Sequence, residues 1–152
     1  MKLAEALQER ADLSTRISIL ENRLRSNALV QEGENPAEDP YELLEELDRC
    51  SADMERLISS INLTNSTALS EGETITELIA RKDVLSRKLS IYRDFVQTAG
   101  QTVQRATRSE IKIVSTVNVR ELQQKADAMA KELRLLDNRI QQLNWTTELI
   151  QK

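Results

Sequence analysis

Residues 108–145 read RSEIKIVSTVNVRELQQKADAMAKELRLLDNRIQQLNW, and their apolar period changes once. Near 110–117, Ile111, Ile113, Val114 and Val117, with Ser115 and Thr116 among them, form the chain's one β-branched run, which predicts a strand. From Val119 onward, Leu122, Ala126, Met129, Leu133, Leu136, Ile140 and Leu143 alternate steps of four and three, the apolar seam of a packed helix. Asn118 stands at the change with Glu121 three residues on, so its side-chain oxygen can cap the helix. A strand feeding a capped helix is the expectation.

Composition bounds the rest. The chain has 152 residues, 39% of them hydrophobic, enough to bury a core as one domain over 1–152. Three glycines, two prolines and 3% aromatics are too few for a sandwich or barrel, whose turns and faces consume both kinds. Long helices suit this composition. A net charge of −4 from 21 basic and 25 acidic residues points neither to nucleic acid nor to a membrane surface. The lone Cys50 makes no internal disulfide, and no basic leader with an apolar core opens the sequence, so a cytoplasmic location is expected. With no histidine, Cys–His nucleophiles and His-based metal sites are ruled out by composition, and no Gly-rich loop joins a strand to a helix. No catalytic residue, cofactor or metal is therefore assigned.

In chain order, Leu3, Ala6, Leu13, Ile17, Leu20 and Leu24 mark a first helix, with Arg10 and Asn27 on the same seam. A polar group at a seam fixes register or meets a partner, and costs stability unless it is hydrogen-bonded. Between Gln31 and Tyr41, Gly33, Pro36 and Pro40 forbid a continuous helix, and the acids there form a solvated loop. Asp39 before Pro40 is a helix start. The second helix carries Leu44, Leu47, Met54, Ile58 and Ile61, with Cys50 as a small buried hydrophobe. Residues 67–75, with Gly72 near the centre, permit a short hairpin. Leu78, Leu85, Leu89, Tyr92, Val96, Ala99 and Val103 then mark a third helix, with Lys82 at a seam position and Gly100 weakening the last turn.

Four such helices joined by modest connections predict a mainly all-α protein, an elongated antiparallel four-helix bundle with a small β element. Running the chain back and forth places Arg10, Asn62, Asn65, Lys82 and Asp83 at one level, a candidate polar layer able to hold a small anion. A single strand has two rows of backbone groups that need partners. The 110–117 run therefore pairs either with the 67–75 hairpin or with a second copy, and a two-fold homodimer is the common form of the latter.

The strings Asn27-Ala28, Val30 to Glu34, Glu38-Asp39-Pro40, Ile61 to Asn65, Arg108 to Lys112, Val114 to Val117 and Asn144 to Leu149 occur in that order. Together they resemble a septicolysin-like family of small bacterial proteins of uncharacterised function, across nearly the whole chain. The resemblance implies a bacterial source and a helical, oligomeric protein. The cytolysin activity in that family's name does not follow from these residues, since one tryptophan and no membrane-spanning β run are a poor basis for a pore.

Two functional readings follow. The first is a non-catalytic, self-associating helical protein that binds another protein. The second is a small-anion binder or enzyme built on the polar layer. Nucleic acid is the weaker third: the basic excess of residues 81–112 has an acidic counterpart in Glu32 to Glu55, and the two can complement each other.

Overall fold

A computed structural model of the chain describes residues 1–102 and 111–151. The expectations placed on Val103, on residues 108–110 and on the part of the basic stretch between them lie outside the described residues. Four helices, α1 (Leu3–Ser26), α2 (Pro40–Thr67), α3 (Ile75–Ala99) and α4 (Val119–Thr146), carry most of the chain. One antiparallel sheet of two strands, β1 (Leu69–Ser70) and β2 (Glu73–Thr74), links α2 to α3. The chain is mainly α with a small β element, as the seams predict. No helix among the described residues is long and apolar enough to cross a membrane.

Helix ends fall where the local chemistry puts them. Asp39 Oδ1 accepts from the Tyr41 N–H at 2.9 Å, with Pro40 as the first helical residue of α2. Asn118 Oδ1 accepts from the Glu121 N–H at 3.1 Å and so caps α4. Gly100, expected to weaken the last turn of α3, follows its last residue, Ala99, and its N–H closes that turn on the Val96 carbonyl at 3.0 Å. In the hairpin, Leu69 faces Thr74 and Ser70 faces Glu73. Glu71 and Gly72 between them take φ of 54° and 84°, the two left-handed residues that a type I′ turn requires.

The chain divides into two compact units, Met1–Thr74 with Leu143–Lys152, and Ile75–Gln142. In the first unit α1 and α2 lie antiparallel around buried Leu20, Leu43 and Cys50, with Leu13, Ile17, Leu24 and Leu47 packed about them. The ion pair Arg16–Glu46 bridges the same two helices, and Arg23 pairs with Glu38 in the segment that leads into α2. Asn27, a polar residue on the α1 seam, is hydrogen-bonded there: its Nδ2 donates to the Arg23 carbonyl at 2.8 Å, and its Oδ1 accepts from the Glu38 N–H at 3.0 Å. In the second unit α3 buries Ile75, Leu78, Leu85, Leu89 and Val96, and α4 buries Ala126, Leu136 and Ile140.

Two expectations are corrected. Residues 111–117 are irregular, not a strand, and Ile111 and Val114 are exposed. A β-branched run becomes a strand only where a pleated neighbour packs on it, and Ser115 offers the backbone a local alternative. Its hydroxyl donates to the Val117 carbonyl at 3.1 Å and accepts from the Val117 N–H at 3.4 Å, a turn that competes with an extended ladder. In α2, Leu44 and Ile58 are exposed while Leu43, Cys50, Ile61 and Thr64 are buried. The series of buried and half-buried residues Leu43, Leu47, Cys50, Met54, Leu57, Ile61, Thr64 keeps steps of four and three throughout, whereas one begun at Leu44 breaks after Leu47.

Candidate functional site

Three features of the surface have the geometry of a site. The first is a shallow groove of about 590 Å³ between α1 and α2, lined by Ile17, Ser51, Met54, Glu55, Ile58 and Asn62, with Ser59 at its edge. Its floor is apolar because Ile58 is turned outward from the α2 seam. Asn62, one of the candidate polar residues, lies at its end and is exposed. Asn65 sits a turn further on, half-buried, with its Oδ1 shielded from solvent and accepting no hydrogen bond among the described residues. Arg10 is exposed on α1.

The second is a clasp at the chain's ends, all within the first unit. The Leu3 N–H donates to the Thr147 carbonyl at 2.9 Å and the Leu149 N–H to the Met1 carbonyl at 2.8 Å, making one antiparallel bridge. Lys2 Nζ donates to the Thr146 carbonyl at 3.2 Å and pairs with Glu148 at 2.5 Å. The Ile150 N–H is received by fully buried Thr64, at 2.9 Å from its Oγ1, while that hydroxyl donates to the Ser60 carbonyl at 2.8 Å. The Thr64 hydroxyl thus joins α2 to the C-terminal segment. The Lys2 contact, and after it the N-terminal amine, holds the Glu148 carboxyl below its ordinary range. Arg16 does the same to Glu46 and Arg23 to Glu38, in each case chiefly through a direct hydrogen bond.

The third feature lies in the second unit, a groove of about 360 Å³ between α3 and α4. Leu89, Ala130 and Leu133 line it, with Lys82, Arg93 and Arg134 around them. Lys82, another candidate polar residue, forms an ion pair with Asp137 across this groove. Asp83, its neighbour in sequence, is exposed. Of the five candidate residues, Arg10, Asn62 and Asn65 therefore belong to the first unit, and Lys82 and Asp83 to the second. Thr64 and Glu148 were not legible as contacts from the sequence. The unbroken seam ending on Thr64 was the available signal, and reading α2 one residue out of phase hides it.

Charge separates between the units. The first holds 8 basic and 17 acidic residues, net −9, and the second 13 basic and 8 acidic, net +5. The modest total of −4 conceals this. Among the described residues no group of three or more Cys, Asp or Glu side chains is placed to hold a metal ion.

Residues 10–149 match the model of a family of unknown function, DUF6847. A solved structure, the crystal structure of a functionally unknown conserved protein from Corynebacterium diphtheriae, is similar at 44% identity, with 99% of each chain covered and a TM-score of 0.87. No functionally curated protein matches. Neither similarity carries the septicolysin-like label.

Proposed function

We propose that this chain, which belongs to the DUF6847 family of unknown function, is a non-catalytic helical protein that self-associates and serves an interaction or structural role. The observation behind this reading is a second apolar stripe on α3. Val84, Ile91 and Phe95 recur at steps of seven and four, the spacing of one helix face, and are 68%, 59% and 48% exposed. Scattered exposed apolar residues are ordinary on a soluble protein, but a stripe of them along one face is the mark of a surface meant to be covered. Light scattering at micromolar concentration tests it. A mass that is a multiple of the 17.3 kDa chain is expected, and a mass of one chain at every concentration would end the reading.

The α3–α4 groove favours a second reading, a small-anion binder. Lys82 is already matched to Asp137, so Arg93 and Arg134 would supply the attraction above an apolar floor. Calorimetric titration with inorganic phosphate and with a dicarboxylate separates the two readings. Saturable heat lost in Arg134→Ala supports the binder, and flat traces for both anions dispose of it.

A further inference from the structure

We infer that the α1–α2 groove of one copy receives the outer stripe of α3 from a second copy. This rests on the self-association proposed above and names the two surfaces that meet. Both are uncovered within the chain: Ile58 in the groove is 39% exposed, and Val84, Ile91 and Phe95 are 68%, 59% and 48% exposed. Both are the same length. The α2 wall runs from Ser51 to Asn62 and the stripe from Val84 to Phe95, each eleven residue steps, or about 16 Å of helix at 1.5 Å per residue.

Charge settles which surface suits which. Glu55 stands on the groove wall with no ion pair among the described residues, in a unit of net −9. The stripe is flanked by Arg87, which likewise has no ion pair among the described residues, and by Lys88, whose ammonium sits 6.0 Å from the Tyr92 ring, in a unit of net +5. An anionic apolar groove facing a second anionic groove, or a cationic stripe facing a second stripe, sets like charges together. Groove against stripe pairs opposite charges and buries apolar surface on both sides. Stable interfaces bury roughly 1,200 Å² or more, and a two-fold pair makes the contact twice and so doubles the surface buried, which is why a two-fold pair is the arrangement proposed.

The decisive experiment mixes two single-site variants of the full chain, Ile58→Cys and Ile91→Cys, and oxidises them. The parent chain, whose Cys50 is buried, sets the background. A disulfide-linked species of two chains in the mixture, above that in either variant alone, is expected. If light scattering shows a multimer but the mixture cross-links no more than either variant alone, the surfaces are wrongly assigned while self-association stands. If the parent chain is monomeric, both fall. A second measurement does not depend on cysteines. Glu55→Arg and Lys88→Glu should each weaken association by about tenfold or more, and mixing the two variants should recover most of it. Unchanged association in both single variants would overturn the assignment.

Discussion

The two units of this chain hold themselves together by different means. The first, net −9, is tied at both ends: Arg16–Glu46 bridges its antiparallel helices, Arg23 pairs with Glu38 ahead of α2, and Thr64 with the Lys2–Glu148 bridge fastens the C-terminal segment. The second, net +5, buries a regular seam on α3 and places the Lys82–Asp137 pair between its helices, yet leaves Val84, Ile91 and Phe95 in water. Polar contacts in the first unit complete a local structure, whereas the outer face of α3 carries exposed apolar side chains, the surface on which the proposed association rests. Substitutions in the first unit's core and clasp should therefore be read in stability, and substitutions on α3's outer face, like those in the groove proposed to receive it, in assembly.

The largest effect expected is in the first unit's core. Leu20 is fully buried against Leu43 and Cys50, so Leu20→Ala should lower unfolding free energy by about 2–5 kcal/mol in urea melts. A value near zero would mean that this core is not where the first unit's stability lies. Thr64→Val comes next. It keeps the shape but removes the acceptor for the Ile150 N–H, at a cost of about 1–3 kcal/mol, with faster amide exchange at Ile150 as its specific signature. Removing the cap of the second unit's last helix, Asn118→Ala, should cost about 1 kcal/mol. Loss of that size without a change in association mass would separate fold from assembly within one unit.

The acid dependence is smaller and belongs to the first unit. Glu38, Glu46 and Glu148 all have folded-state pKa values below the ordinary carboxylate value. Their contribution is present above the unfolded carboxylate range and lost as pH falls through the folded values, because the unfolded chain takes up the protons first. All three are at the surface, so salt screens the effect. Melting temperature should fall as the solution is acidified below pH 5, and Glu148→Gln should flatten that fall. An identical acid profile in Glu148→Gln would remove the Lys2–Glu148 bridge from the list of stabilising contacts.

Much of this was legible in the sequence, for a physical reason. The seams of α1, α3 and α4, the Asp39-Pro40 and Asn118 starts and the Glu71-Gly72 turn are encoded within a few residues of where they act. Three features were not. The phase of α2 is ambiguous because Leu43 and Leu44, and Leu57 and Ile58, are adjacent apolar pairs, and only packing decides which member faces inward. The β-branched run at 111–117 carries strand propensity, but propensity depends on a neighbouring strand, and the Ser115 turn competes locally. The clasp joins residues 64, 148 and 150 to the first three residues through backbone groups, which carry no residue-type signature. Of the candidate polar residues, Lys82 was the most legible, since a cation on an apolar seam needs a partner, and Asp137 supplies it.

Sedimentation equilibrium of the wild-type chain beside Ile91→Asp, over a tenfold range of micromolar concentrations, tests the uncovered face of α3 most directly. The expected result is an associating wild type and a variant at 17.3 kDa throughout, with unchanged helical circular dichroism because Ile91 contributes little to the fold. A wild type already at 17.3 kDa, or a variant that associates as well as its parent, would contradict the proposal that this face is covered by another copy.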